Sequence, residues 1–278
     1  MAKENRVAIL GGVRTPFVKA QSSFEQFSAL DLMKVSLKEL VDRFHLKGET
    51  VGDVAVGTVF FPPSTWNFAR EAVLKSGLSP DTPAIGIQRA CATSLDASLY
   101  IANKIRQGAI EVGIAGGSES MSNVSLFYDP KLSRRLIRTF QGRSMKDRLS
   151  AWTSFNPKEL KPNSPSPGEA TTGKTMGVHC EMMAKEWEIS RESQDELALQ
   201  SHQNGWNAYG RGFYNDLVVG FAGVQRDALL RGDTTIEKMA RLKPAFDLSG
   251  KGTLTAGNSS PMTDGASSVL LSSEAWAK

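Results

Sequence analysis

Between Arg6 and Gly117 the chain alternates short apolar, β-rich runs with stretches of helical periodicity, and this rhythm narrows the possible folds sharply. Arg6-Val7-Ala8-Ile9-Leu10 reads as a buried strand ending at Gly11-Gly12, and Ala29 to Phe44 places Leu30, Met33, Leu37, Leu40 and Val41 on one helical face. Asp53 to Phe60 reads as the next strand, Thr65 to Lys75 as a helix, and Ala84 to Arg89 as a third short strand. After Cys91, the residues Leu95, Leu99, Ala102 and Ile105 recur at spacings of three and four. Gly108 follows where a helix end favours positive φ, and Glu111 to Ala115 forms a strand closing on Gly116-Gly117. Strands and helices in this alternation predict a parallel or mixed sheet covered on both faces, the layered α/β class.

From about Ser125 to Pro167 the rhythm stops and gives way to an insertion with a Pro/Ser-rich exit. Between Asp129 and Lys161 there are nine basic residues, among them Arg134, Arg135 and Arg138, against three acidic ones. Apolar residues including Leu132, Leu136, Ile137, Phe140, Met145, Leu149, Trp152 and Phe155 are interspersed, a pattern open to two readings. One is a solvated loop anchored by a few apolar side chains; the other is a basic amphipathic helix for a membrane surface or a partner. Gly168 to Trp187 and Arg191 to Gly210 then read as helices, with Ser190 as N-cap of the second. Leu217-Val218-Val219 reads as a short strand, and Thr253-Leu254-Thr255 and Ser267 to Leu271 as returns to the main sheet.

Composition excludes more than it assigns. Lys and Arg number 33 against 29 Asp and Glu, and a surplus of +4 does not argue for nucleic-acid binding. No run approaches the ~20 apolar residues of a membrane span, and no secretory signal pattern is seen, so the expectation is a soluble cytoplasmic protein. The two cysteines, Cys91 and Cys180, are too few for a disulfide framework and lack the clustered partners of a zinc site. No metal is expected.

Cys91 stands at a strand-to-helix junction, where the first N–H groups of the helix have no intrahelical partners and the helix dipole favours negative charge. Both effects favour a thiolate, the nucleophilic form of cysteine, and the same amides can stabilise an oxyanion. Small neighbours, Ala90, Ala92 and Thr93, leave room for a substrate. Acyl transfer through a thioester fits this placement, and so does a buried core cysteine. Cys180, mid-helix, is expected in the core, and the three histidines, His45, His179 and His202, are expected at surface or core positions rather than in catalysis.

The stretch Arg89-Ala90-Cys91-Ala92-Thr93-Ser94 resembles the nucleophile motif of the thiolases, in the form found in β-subunits of trifunctional fatty-acid-oxidising complexes. Arg14-Thr15-Pro16-Phe17, Gly116-Gly117-Ser118-Glu119-Ser120-Met121-Ser122 and Asn258-Ser259-Ser260-Pro261-Met262-Thr263-Asp264-Gly265-Ala266 agree with that family in the same order. The resemblance implies a layered α/β/α domain with a mixed sheet and a mainly helical loop-domain insertion. Its first part would span 1–122, the insertion and following helices 123–250, and the return to the domain 251–278. It implies thiolysis of a 3-ketoacyl-CoA in fatty-acid β-oxidation, with Cys91 holding the shortened acyl group before passing it to coenzyme A. Coenzyme A is thus a cosubstrate and no cofactor is permanently bound. The family's coenzyme A contacts map onto Ser260, Met176 and Arg231. Implied partners are a homodimer or larger oligomer, a multienzyme α-subunit, and a peripheral membrane contact through the basic insertion.

The family's other catalytic motifs, Asn-Glu-Ala-Phe, Gly-His-Pro and Cys-Gly-Gly, do not occur in these 278 residues. Their groups supply general acid–base catalysis, typically worth ~10²–10⁴ each. Little turnover is therefore expected of this polypeptide alone, as of a thiolase N-terminal half with its loop domain, and the face meeting the second half would be apolar. Two other functions fit the same residues. One is a β-ketoacyl synthase-like condensing enzyme, against which Asn258 to Ala266 speaks; the other is a noncatalytic module for coenzyme A binding or assembly.

Overall fold

A computed structural model describes residues 5–166 and 168–278. In chain order its strands are β1 (Val7–Arg14), β2 (Val18–Lys19), β3 (Asp53–Gly57), β4 (Ala84–Ile87), β5 (Val112–Ser120) and β6 (Thr263–Ser273). Its helices are α1 (Ala29–Arg43), α2 (Phe68–Leu74), α3 (Thr93–Arg106), α4 (Pro130–Gln141), α5 (Met145–Ser150), α6 (Met176–Glu186), α7 (Arg191–Gly210), α8 (Ile236–Ala240) and α9 (Glu274–Ala277). The chain divides into two compact units, Val124–Thr175 and the described residues on either side of it. Helices α6, α7 and α8, which follow the insertion, group with the first unit.

Residues 176–250 join the first unit through buried polar ties. Glu181 of α6, 2% exposed, accepts from the Thr253 N–H at 2.8 Å and the Leu254 N–H at 2.9 Å, which secures the segment leading into β6. Asp195 of α7 accepts from Asn258 Nδ2 at 2.9 Å and from Arg191 Nε at 2.7 Å.

The sheet of the first unit runs β1-β6-β5-β3-β4, with β2 pairing the end of β6. The pairs β3–β4 and β3–β5 are parallel, whereas β6 lies antiparallel to β1 and β5. The sheet is thus mixed and the class α/β, as the sequence rhythm predicts. Helices α1 and α2 cover one face over Val54, Val56, Ile114 and Leu270; α3 covers the other over Ala55, Ala115 and Leu271. Adjacent residues of one strand serve opposite cores because side chains alternate across a sheet.

Two strands run through glycines that the sequence pattern places at their ends. β1 continues past Gly11-Gly12 through an irregularity between Ile9 and Gly11, and β5 passes through Gly116-Gly117 to Ser120. A Cβ at Gly116 would collide with the Ser267 carbonyl oxygen of β6, so glycine there permits close strand packing rather than a turn. Thr253-Leu254-Thr255 is no strand, and the short run at Leu217 contributes one bridge, Val218 to Arg14.

On α3 the buried stripe is Thr93, Ala97, Ile101 and Ile105, while Leu95 is 65% and Leu99 53% exposed. The apolar series read from the sequence follows a neighbouring stripe of the same helix. Small residues at 93 and 97 let α3 lie close to the sheet, leaving the leucines outside.

The unit Val124–Thr175 contains α4, α5 and a short 3₁₀ turn at Pro157–Leu160. Arg135 is its hub, donating to Glu159 at 2.8 Å and to the carbonyl oxygens of Ala151 and Ser154 at 2.6 Å each. Leu132 is buried, but Ile137 and Phe140 of α4 and Met145 and Leu149 of α5 are exposed. The insertion is helical and basic, with an uncovered apolar surface. Among the described residues no helix is long and apolar enough to cross a membrane.

Candidate active site

Cys91 is exposed, and it lies two residues ahead of the first helical residue of α3. The strand β4 ends at Ile87, and the chain turns through Ala90, whose φ of 44° falls in the left-handed region. Thr93 fixes the turn: its Oγ1 donates to the Ala90 carbonyl oxygen at 2.7 Å and accepts from the Arg89 N–H at 2.9 Å. Ala92 is the N-cap and offers no side-chain acceptor to the first turn. The Ala92 and Thr93 amides bond to the carbonyl oxygens of Arg89 and Ala90 at 3.0 and 3.2 Å, which leaves the Ser94 and Leu95 amides of the first turn for another acceptor, the arrangement expected where an anion or oxyanion is to be held.

Two glycines make room beneath this junction. A Cβ at Gly57, the last residue of β3, would collide with the Ile87 carbonyl oxygen and stand 2.6 Å from Thr93 Cγ2. A Cβ at Gly117 of β5 would collide with Ser94 Oγ. Arg89 and Asp96 close the outer side with an ion pair of 3.0 Å.

Ser260 and Arg231 line one cavity of about 880 Å³. Its wall also includes Lys19, Gln194, His202 and Lys238, none of which the sequence marked as a site residue. The volume falls in the range of small-molecule sites. His202 Nδ1 accepts from the Arg231 N–H at 3.3 Å, and burial, helped by the Arg231 charge, holds its imidazole below its ordinary pKa. Gln194 Oε1 is buried and has no hydrogen-bond partner among the described residues. The loop bearing Arg231 is seated on α7: a Cβ at Gly205 would meet Leu230 Cδ2 at 2.7 Å, and one at Gly232 would meet Trp206 at 2.5 Å. Asn258, held by the Thr255 N–H at 2.7 Å and by Asp195, sets the approach to Ser259 and Ser260.

Met176 lies elsewhere. It opens α6 and shares a shallower groove of about 480 Å³ with His179, Cys180, Met183 and Trp187. Cys180 is exposed there, contrary to its expected core position, because Glu181 and Ala184 form the inward face of α6. Cys91 lines neither cavity. The structure therefore brings Ser260 and Arg231 together and leaves Cys91 and Met176 at separate places. Among the described residues no cluster of three or more His, Cys, Asp or Glu side chains is placed to hold a metal ion.

The remaining motifs are braces. Arg14 grips Asp227 with two bonds of 2.7 Å, and Asp227 also accepts from the Phe17 N–H at 2.8 Å. Burial opposes ionisation of Asp227, but the Arg14 fork and the Phe17 amide outweigh it, and the carboxyl is held below the usual range. Thr15 bonds to Ala266 through both its N–H and its Oγ1. In the glycine-rich stretch, Ser118 Oγ donates to the Ala29 carbonyl at 2.7 Å. Glu119 accepts from Thr58 Oγ1 at 2.9 Å and the Val59 N–H at 2.7 Å, and Ser122 is pinned by Asp264. Gln88, just before the Cys91 turn, donates to the Val59 carbonyl at 3.4 Å, so these braces reach the junction itself.

Comparison with known proteins agrees with this architecture. The family model described as Thiolase, N-terminal domain, matches residues 7–275. The 3-ketoacyl-CoA thiolase of Shewanella sediminis is 40% identical over 283 residues, covering 100% of this chain and 65% of that protein. The 3-ketoacyl-CoA thiolase of Yersinia pestis (strain Pestoides F) is 38% identical over 280 residues, with coverages of 99% and 64%. The chain thus spans just under two thirds of the length of these curated relatives. Among solved structures, the Acat5 thiolase from Ascaris suum in complex with coenzyme A aligns with a TM-score of 0.80 at 27% identity, covering 97% of this chain and 66% of that one. The acetyl-CoA acetyltransferase of Bacillus anthracis aligns with a TM-score of 0.83 at 26% identity, covering 100% and 68%. With a thiolase N-terminal domain matched over residues 7–275, the chain belongs to the thiolase family.

Proposed function

We propose that this chain carries the acyl-accepting half of a 3-ketoacyl-CoA thiolase, an acyltransferase of fatty-acid β-oxidation. The observation that carries the reading is the exposed Cys91 held behind a left-handed Ala90 at the uncapped head of α3. In this reading the Cys91 thiolate attacks the 3-keto carbonyl, the bond between C2 and C3 breaks, acetyl-CoA leaves as an enolate that takes up a proton equal to the one Cys91 gave up, and the shortened acyl group stays on sulfur as a thioester. The thiol of coenzyme A then takes the acyl group and returns the thiol at Cys91. Coenzyme A is the cosubstrate, and the cavity with Ser260, Arg231 and Lys238 suits its phosphate-bearing part, since Arg and Lys pair well with phosphate. Met176 would join that site only from its separate groove.

The family's His and second Cys motifs do not occur in these residues, so acylation without sustained turnover is the expected behaviour. The test is intact mass after incubation with acetyl-CoA. One acetyl adduct that is lost in Cys91→Ser supports the reading; no adduct on folded protein overturns it.

A further part of the reading concerns partners. β4 is an edge strand with Ile85 exposed, and Leu95 and Leu99 stand uncovered on α3, which supports an oligomer through the first unit. In Val124–Thr175 the exposed Ile137 and Phe140 share α4 with Arg134 and Arg138. That combination supports contact with an anionic lipid surface, as in a trifunctional-type β-subunit beside its α-subunit.

A further inference from the structure

We infer that Thr93 is a positioning residue for Cys91: its hydroxyl staples the two peptide groups before the cysteine and so sets where the thiol points. The inference rests on the reading of Cys91 as acyl acceptor. Thr93 is 5% exposed and held from both sides. Its methyl group occupies the space that glycine leaves at position 57, where a Cβ would stand 2.6 Å from Thr93 Cγ2. Its hydroxyl then meets the Ala90 carbonyl at 2.7 Å and the Arg89 amide at 2.9 Å, while its own amide donates to the Ala90 carbonyl at 3.2 Å.

The staple is needed because the turn is strained. Ala90 has a φ of 44°, a region where a side chain with a Cβ sits at a cost, and a residue persists there only when its surroundings determine it. Ala92, the N-cap, supplies no side-chain bond, and its N–H reaches back only to the Arg89 carbonyl at 3.0 Å, so the left-handed Ala90 itself is not held from that position. The Arg89–Asp96 ion pair of 3.0 Å ties the exposed side chain of residue 89 to α3, but Thr93 is the side chain that binds the 89–90 backbone itself to the first residue of the helix. Cys91 lies inside that loop of bonds, and its thiol is exposed yet carried on a constrained backbone. A reaction that requires the sulfur beside the α3 amides depends on this constraint; a reaction that requires only an accessible thiol does not.

The two demands separate in one experiment on the intact chain. Acylation by acetyl-CoA moves the acetyl group from the coenzyme A sulfur to Cys91 Sγ, with the Cys91 proton ending on the released coenzyme A thiol. Alkylation by iodoacetamide needs no such geometry. Thr93→Val keeps the shape and removes the hydroxyl; Thr93→Ser keeps the hydroxyl. The expected result is a loss of at least about tenfold in the acetylation rate of T93V, with alkylation at Cys91 within about threefold of the parent and T93S close to the parent in both. A purely structural role would lower thermal stability and leave the ratio of the two rates unchanged in folded protein.

Amide hydrogen exchange of a peptide covering 88–94 is read alongside: T93V exchanges at least about tenfold faster and T93S does not. Unchanged exchange together with an unchanged rate ratio in T93V overturns the inference. Absence of acetylation in the parent protein overturns the assignment of Cys91 instead, and hydrogen exchange then decides the role of Thr93 alone.

Discussion

Replacing Asp227 by Asn tests whether the Arg14-Thr15-Pro16-Phe17 motif acts as a brace. The exchange keeps the shape and leaves an acceptor for the Phe17 N–H, but it removes the charge opposite Arg14. The two side chains are 18% and 12% exposed, so neither the near-zero value of a surface pair nor the full cost of a buried one applies. Two bonds of 2.7 Å would be weakened, and a guanidinium stacked over the Phe17 and Tyr214 rings would lose its counter-charge. Scaling the 3–5 kcal/mol of broken buried pairs down for this exposure gives about 2–3 kcal/mol. For a chain of this size that corresponds to a fall in Tm of about 4–10 °C.

The pH dependence is specific as well. Asp227 titrates lower in the folded chain than when unfolded, so its contribution is complete above the unfolded carboxylate value of ~3.9. It is lost as pH falls through the folded value. Urea unfolding of the parent and D227N should therefore differ by a constant amount from pH 5 to 8, and the gap should narrow below pH 4. A cycle with Arg14→Gln should show coupling above about 1 kcal/mol. A D227N variant within 0.5 kcal/mol of the parent at pH 7, or a gap unchanged at pH 3, would refute the reasoning.

Gly57→Ala should cost at least about 2 kcal/mol in urea unfolding, because its Cβ collides with backbone rather than with a side chain that can turn away. Leu95→Glu with Leu99→Glu should leave stability within about 0.5 kcal/mol while lowering the mass seen by sedimentation at micromolar concentration; unchanged mass would remove this face from any interface. Liposomes rich in anionic lipid should co-sediment with the parent, and a variant with Arg134, Arg138 and Lys146 changed to Glu should not bind them. Each basic residue at such a surface is worth ~1 kcal/mol, and equal binding by both proteins would sink the lipid contact.

The sheet and its helices were largely legible because their signals are local. The periodicity of Ala29 to Phe44 is that of α1, and the apolar runs at 53 and 84 are β3 and β4. What local pattern hides is the neighbour. Gly11-Gly12 and Gly116-Gly117 look like strand ends, yet they lie within β1 and β5 where adjoining backbone or side chains leave no space for a Cβ. On α3 two apolar stripes compete, and the sheet selects the smaller side chains of Thr93 and Ala97 over Leu95 and Leu99. Cys180 looked like core for the same reason, since only the buried partners of Glu181 reveal which face of α6 turns inward. The place of Cys91 between β4 and α3 was legible from the change of pattern around it. Lys19, His202 and Lys238 reach one cavity from β2, α7 and α8, and no spacing in the sequence announces their meeting.

The central claim is that the thiol at the head of α3, not the other exposed thiol, accepts the acyl group. Both cysteines are open to reagents, so peptide mapping after a timed exposure to acetyl-CoA separates them within one sample. The account predicts a thioester on the peptide containing Cys91, at least about tenfold ahead of the Cys180 peptide and unaffected by Cys180→Ser, since positioned thiols gain far more than merely accessible ones. Equal labelling of the two peptides, or acylation that follows Cys180, would contradict it.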